Sequence, residues 1–347
     1  MDIASAQRLW DVRPGWLNTA SYGLPPRVGW DALQTALAQW QQGTGVWEEW
    51  QAVTEQTRAS FARLLGVGPD QVFSGSTVSA ALGLVAGTLP DGATVLVPDF
   101  EFASDVFPWR AHADRGVTVV GAPLTDLAER IDSDVDVVAF ALVQSAGGEV
   151  ADLPAISAAA RDAGALVVVD ATQALGWLPF DVRLTDACVA ATYKWLMTPR
   201  GATLGHFSPE LQDRVRPGQT GWSAATDDFY YGLDAAPFAD ARRFDQAPAW
   251  FTHVAAAPTL QIIEEIGVAA INDHDLTQAN RFRAGLGLAP AGSAIVSADL
   301  PGAEERLAAA GVRASARGGR VRLSFHVYNT PDDVDLALDA LDGLRPR

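Results

Sequence analysis

Of the 25 basic residues in this chain, 24 are arginine and only Lys194 is lysine. The composition is rich in Ala, Gly and Arg, a bias that replaces lysine wherever a positive charge suffices. The amine that remains can do what a guanidinium cannot: lose its proton and attack a carbonyl. It stands in Ala191-Thr192-Tyr193-Lys194-Trp195-Leu196, after an apolar run and among aromatic groups. Desolvation there favours the neutral nucleophile, although a lysine snorkelling to the surface has the same local sequence. Asp170 ends the apolar run Val167-Val168-Val169 and is followed by Ala171-Thr172-Gln173. A carboxylate there suits a protonated heteroaromatic nitrogen, with Gln173 in reach of a neighbouring oxygen; it equally suits a turn cap. Ser74-Gly75-Ser76-Thr77 lies between a strand-like and a helix-like stretch. Free N–H groups, hydroxyls and a helix N-terminus suit a phosphate, and the same residues serve as an ordinary N-cap. No Gly-Lys-Ser/Thr follows, so this is not a Walker loop.

These groups need elements that bring them together. Helix-like spacing runs over 28–65, with Leu33, Leu37, Trp40, Phe61, Leu64 and Leu65, and breaks at Gly43–Gly45. Short apolar runs then alternate with helical ones. Strands are expected at Gln71–Phe73, Ala93–Val97, Val117–Val120, Val135–Val143, Ala165–Val169 and Ala187–Ala191, and helices at Thr77–Leu89 and Ile156–Ala163. Continuous apolar strands separated by helices give a largely parallel sheet covered on both faces, with ligands beyond the strands' carboxyl ends. After about residue 255 the pattern changes: helical material at Ala255–Gly267 and Asp273–Leu286, shorter strands near Ala294–Ser297 and Arg320–Phe325, and a closing helix over Pro331–Leu344. The expected organisation is a large α/β domain over 1–255, with an N-terminal arm, and a smaller α/β domain over 256–347.

Composition narrows the function. The chain's 347 residues are 48% hydrophobic and carry a net charge of −17, which is globular in character and unfavourable to nucleic acid or an anionic membrane. One cysteine, Cys188, excludes a disulfide framework and a Cys-rich metal site, and His206, His253, His274 and His326 show no metal-ligand spacing. With no signal-peptide pattern and no apolar stretch near the ~20 residues of a membrane span, a soluble, cytoplasmic protein is expected. A phosphate cradle, a strand-end acid and a single lysine together fit pyridoxal 5′-phosphate, which needs an anion site, an acid for its ring nitrogen and an amine for its aldehyde.

At these residues the sequence resembles the class V aminotransferase group of fold-type I pyridoxal-phosphate enzymes, which includes cysteine desulfurases, isopenicillin N epimerase-like proteins and kynureninase-like lyases. The resemblance runs from Leu17-Asn18-Thr19-Ala20 to Tyr328-Asn329-Thr330. It is most specific at Asp170-Ala171-Thr172-Gln173-Ala174, at Tyr193-Lys194-Trp195-Leu196-Met197-Thr198-Pro199-Arg200-Gly201 and at Arg322-Leu323-Ser324-Phe325-His326-Val327-Tyr328-Asn329-Thr330. It implies that Lys194 forms the Schiff base with the cofactor, Asp170 pairs with the ring nitrogen and Gln173 bonds the ring hydroxyl. It further implies that Ser76 and Thr77 hold the phosphate, Phe102 stacks on the ring, Ser145 stands beside it and Arg322 clamps the substrate α-carboxylate.

Three departures accompany the match. The loop before Arg322 has no cysteine, and Cys188 lies just upstream of the lysine on an expected buried strand, which disfavours a desulfurase. The group's phosphate-binding Ser three residues before the lysine is Ala191 here, with Thr192 or Tyr193 expected to substitute. Arg243-Phe244-Asp245-Gln246-Ala247-Pro248 lacks the threonine that relatives lend to the neighbouring subunit's phosphate. The resemblance implies a homodimer acting on a small amino acid, an aminotransferase first, with a C–S lyase or epimerase as alternatives and a non-catalytic binding protein as the remaining class. Trp109, Trp222, Tyr230, Tyr231, Trp250 and His253 are candidates to line the pocket, although an aromatic excess is more often core packing than substrate recognition.

Overall fold

A computed structural model describes residues 1–226 and 231–347. Its strands are β1 (Val72–Gly75), β2 (Thr94–Pro98), β3 (Thr118–Ala122), β4 (Val137–Ala141), β5 (Leu166–Asp170), β6 (Ala187–Ala191), β7 (Thr203–Phe207), β8 (Ile295–Ala298), β9 (Ser315–Arg317) and β10 (Arg320–Ser324). Its helices are α1 (Ile3–Gln7), α2 (Arg27–Gln42), α3 (Trp47–Leu65), α4 (Val78–Ala86), α5 (Ala103–Arg110), α6 (Leu127–Arg130), α7 (Leu153–Ala163), α8 (Pro209–Arg214), α9 (Trp250–Ile266), α10 (Val268–Gly285), α11 (Ala303–Ala309) and α12 (Pro331–Ala340). The break expected near residue 43 separates α2 from α3. Gly43 ends α2 at φ 68°, a left-handed value that glycine adopts without strain.

The large sheet has the order β1-β7-β6-β5-β4-β2-β3. Its apolar runs are continuous because successive side chains enter two different cores. Val138, Phe140, Val167, Val169, Cys188 and Ala190 pack into one, and Val137, Ala139, Val168, Ala187 and Val189 into the other. Burying a Val or Leu side chain this completely stabilises the fold by roughly 1.5–3 kcal/mol. α9 joins the first of these cores through Leu260, Ile262, Ile263 and Ile266. The second sheet, β8-β10-β9, is antiparallel and shares a core with α10, α11 and α12 that also takes in Leu17 from the N-terminal arm.

The expected mostly parallel sheet is present, with one addition. β7 was not foreseen, because Thr203-Leu204-Gly205-His206-Phe207 mixes polar and small residues. It pairs antiparallel with both β1 and β6, so its first residue lies level with their carboxyl ends: Thr203 pairs with Gly75 on one side and Ala191 on the other. α5 was also unforeseen; Pro108 lies inside it and obscures its periodicity.

The arm reaches the small sheet and then the lysine turn. Leu17 N–H donates to Arg313 O at 3.0 Å, Ser324 N–H donates to Leu17 O at 2.9 Å, and Gly23 N–H donates to Tyr193 O at 2.9 Å. From the opposite side, His326 spans Asp275 at 2.8 Å and Trp195 O at 3.0 Å. The lysine turn is thereby held from two directions.

Candidate active site

The carboxyl ends of β1, β5 and β6 and the amino end of β7 meet around a cavity of about 190 Å³. Ser76, Thr77, Phe102, Asp170, Tyr193 and Lys194 all line it, six of the residues expected from sequence. Lys194 is only 8% exposed. Its ammonium lies 5.8 Å from the centroid of the Phe102 ring and 5.8 Å from that of Tyr193. Burial, opposed by the charge of Asp170 and reinforced by Arg322, pulls its pKa down to about 8. A substantial fraction of the amine is therefore neutral near physiological pH.

Asp170 is buried at the end of β5, where one carboxylate oxygen accepts from Thr172 N–H at 2.7 Å. Asp105, on α5, stands against it. Among the described residues no donor reaches either oxygen of the Asp105 carboxyl, which is fully buried. Burial first, and then the neighbouring charges of Asp170 and Glu101, raise its pKa well above the carboxylate range. An ionised carboxylate without a donor is too costly to bury, so Asp105 holds its proton and shares it with Asp170. Burial raises the Asp170 pKa as well, but the Thr172 bonds, the charge of Lys194 and the Asp105 bond oppose it, so Asp170 is the more readily ionised of the two.

Arg322 is 1% exposed and has no carboxylate partner among the described residues. It donates to Ser315 Oγ at 3.2 Å, to Ser21 Oγ at 3.0 Å, to Ser145 Oγ at 3.2 Å and to the Ser145 carbonyl. A buried guanidinium held only by hydroxyls and a carbonyl is poised for an anion. Desolvation, with the charge of Arg317 added, lowers its pKa to about 10, so it stays charged at neutral pH.

Ser145 and Gln173 are neighbours but do not line the cavity. Gln173 Nε2 donates to Ala20 O and to Ser145 Oγ, both at 3.0 Å, and its Oε1 accepts from Trp195 Nε1 at 2.7 Å. The Gln173 amide is thus satisfied within the protein and positions Ser145. Thr192 corrects an expectation: it is fully buried, donates to Ala202 O at 3.2 Å, accepts from Thr198 Oγ1 at 2.7 Å and faces away from the cavity. Tyr193 remains in the lining.

At the other end, Thr77 caps α4, its hydroxyl accepting from Ala80 N–H at 3.2 Å. The N–H and hydroxyl of Ser76 both donate to Gln246 Oε1, at 3.0 and 2.8 Å. Gln246 is anchored by the next residue back, Asp245, which takes Ser74 N–H at 2.7 Å and pairs with buried Arg58 at 2.5 Å.

The expected aromatic lining is also corrected. Trp109, on α5, is fully buried, and His253 is buried against Ser74 Oγ at 3.3 Å. Trp222, Tyr231 and Trp250 instead line a separate cleft with Trp47, and Tyr230 lies outside the described residues. A larger cleft of about 930 Å³, between the β2 and β4 loops and Arg317 and Arg320, contains none of the predicted site residues. Sequence reading missed Arg200, Ser79, Thr172 and Thr203, all in the cavity wall, and Asp105 beside it. Arg200 lay within a matched stretch but was one of 24 arginines.

The arrangement offers an activatable amine with a carboxylate beside it, hydroxyl and helix N-terminal donors in the same wall, and, outside that wall, the Arg322 guanidinium with no carboxylate partner among the described residues. A family model described as aminotransferase class-V matches residues 41–301. An uncharacterized aminotransferase, YcbU, of Bacillus subtilis is 32% identical over 85% of both chains. An isopenicillin N epimerase of Streptomyces clavuligerus is 25% identical over 94% of each, and a kynureninase of Deinococcus radiodurans is 26% identical over 70% of this chain and 62% of its own. In structure, the cysteine desulfurase CsdA of Escherichia coli superposes with a TM-score of 0.85 at 20% identity, covering 99% of this chain and 98% of its own. The cystine C–S lyase C-DES gives 0.84 at 20% identity, covering 96% and 99%. These two likenesses show the fold.

Proposed function

Because the chain belongs to the aminotransferase class-V family, we propose that it is a pyridoxal 5′-phosphate enzyme acting at Cα of a small amino acid, as an aminotransferase. The observation that carries this reading is the placement of the chain's only lysine, buried in one cavity with Asp170, Phe102, Ser76 and Thr77. The residues present fit the cofactor. A guanidinium without a carboxylate and a carboxyl pair that retains one negative charge are costly to bury unless a ligand of opposite charge completes them. Lys194 would hold the aldehyde, Asp170 the ring nitrogen, Phe102 the ring face, and the Ser76–Thr77 turn the phosphate.

When bound, the cofactor supplies an electron sink for the bond broken at the substrate Cα. The remaining work belongs to the chain. Asp170, whose ionised form the Asp105 bond favours, would hold a proton on the ring nitrogen. Arg322 binds the α-carboxylate in a bidentate pair and so fixes which Cα bond faces Lys194 Nζ. With its pKa pulled down to about 8, Lys194 would have the neutral amine needed to take the Cα proton. Cys188 is fully buried on β6, where desolvation raises the pKa of its thiol, so it cannot serve as a mobile sulfur acceptor. A homodimer belongs to the same reading: Phe100 and Phe107 are 74% and 63% exposed, apolar surface that a second copy would cover.

The test is the visible spectrum of the purified protein with pyridoxal 5′-phosphate, followed by a panel of amino acids. Conversion of the bound cofactor to its amine form, with release of a keto acid, supports aminotransfer. Recovery of the starting spectrum with sulfide or keto acid accumulating assigns elimination, and loss of Cα deuterium with inversion assigns epimerisation. No cofactor-dependent band in the wild type sinks the reading in favour of a non-catalytic protein. Lys194→Ala should abolish both band and turnover.

A further inference from the structure

Resting on that reading, we propose that Arg200 is the cofactor-phosphate ligand that makes up for the hydroxyls missing from this pocket. The phosphate end is short of donors. Ala191 lines the cavity and offers no side-chain donor. Both donors of Ser76 point at Gln246 Oε1. What remains is Thr77, Ser79, the Tyr193 hydroxyl, the Thr203 hydroxyl, which has no partner among the described residues, and the α4 N-terminus, all neutral, in a chain of net charge −17 that must attract a phosphate carrying nearly two negative charges.

Arg200 supplies the charge at that end. It lines the same cavity as Ser76, Thr77 and Ser79. Its place follows from the reversed strand: Thr203, three residues on, pairs with Gly75, the residue before Ser76. The Arg200 carbonyl is held by Thr252 Oγ1 at 3.3 Å, while its guanidinium lies over the Tyr193 ring, 4.7 Å from the centroid. Stacking occupies the flat face and leaves the N–H edge available. No carboxylate among the described residues pairs with it, in contrast to Arg58, Arg242 and Arg281.

Arg322, bonded to Ser21, Ser145 and Ser315, serves the opposite side. Two guanidiniums with different neighbours therefore divide two anions between them, the phosphate to Arg200 and the substrate carboxylate to Arg322. Both act on the lysine from their own sides, each disfavouring its protonated form.

The experiment compares equilibrium binding of pyridoxal 5′-phosphate and of pyridoxal, which lacks the phosphate, to cofactor-free protein by tryptophan fluorescence. Arg200→Gln should weaken the phosphorylated form about ten- to a hundredfold and leave pyridoxal unchanged. Arg200→Lys keeps charge but not the fork, and should lose several-fold, again for the phosphorylated form alone. It also carries the comparison if the glutamine variant does not fold. Inorganic phosphate should compete with pyridoxal 5′-phosphate for the wild type and much more weakly for Arg200→Gln. Unchanged affinity for the phosphorylated form, or equal losses for both forms, overturns the assignment. A wild type that binds neither form overturns the cofactor reading itself, a result distinct from failure of Arg200 alone.

Discussion

A lysine pKa near 8 makes the amine's charge state a variable within the working pH range. Burial favours the neutral form, so that form grows as pH rises through 8 and saturates above it. Uptake of pyridoxal 5′-phosphate by cofactor-free protein should accelerate about tenfold from pH 7 to pH 8.5 and then level off; stopped-flow absorbance would measure it. A rate flat across that range would mean that nucleophilicity is not limiting. Arg322→Gln should raise KM for α-amino acids about a hundredfold, because the amide neither carries charge nor closes the carboxylate fork; an unchanged KM would move the carboxylate elsewhere. Lys194 and Asp170 were legible as ionisable groups just after apolar runs, a reading that gained weight from their conjunction and from the matched stretches around them, and Arg322 was legible only through its matched stretch. Thr192 and Gln173 were less so. Which way a neutral side chain turns depends on partners such as Thr198 and Trp195, whose approach is tertiary. Asp105 was hidden for the same reason, since its lack of a donor is visible only in the fold.

Among the elements, the parallel strands could be read from their apolar runs, and their order of use at the ligand edge followed. β7 could not be read that way, because its five residues are buried by neighbours and not by their own hydrophobicity. The arm was legible only as a matched stretch, yet it sets the lysine turn. A Cβ on Gly23 would lie 2.0 Å from the Lys194 carbonyl and 3.0 Å from the Met197 backbone, and Met197 is already at φ 55°, in the left-handed region. Neither backbone can yield cheaply. Gly23→Ala should therefore cost about 1–3 kcal/mol in urea unfolding and weaken cofactor binding, whereas the same change at Gly292, which has open space and no left-handed backbone, should leave both intact. Equal effects at both positions would show that the arm does not set the turn.

For the molecule as a whole, acid sensitivity has an identifiable contributor away from the cavity. His253 is buried against Ser74, and desolvation, aided by the charge of Arg58, lowers its pKa to about 4. Between pH 6.5 and 4 the unfolded chain binds a proton that the folded one refuses, so stability falls as pH drops through that window. The contribution lost is about 3 kcal/mol below pH 4. His253→Gln should flatten the pH dependence of urea unfolding over this range, and a slope equal to that of the wild type would place the acid sensitivity elsewhere. The burial of Lys194 carries a consequence of another kind. A protease specific for lysine has one target in 347 residues, and that target lies in a turn closed by the arm and by His326. The intact fold should resist it, and opening of the turn should release two pieces, 1–194 and 195–347. The chain thus has a single cleavage point that reports whether its chemical centre is assembled.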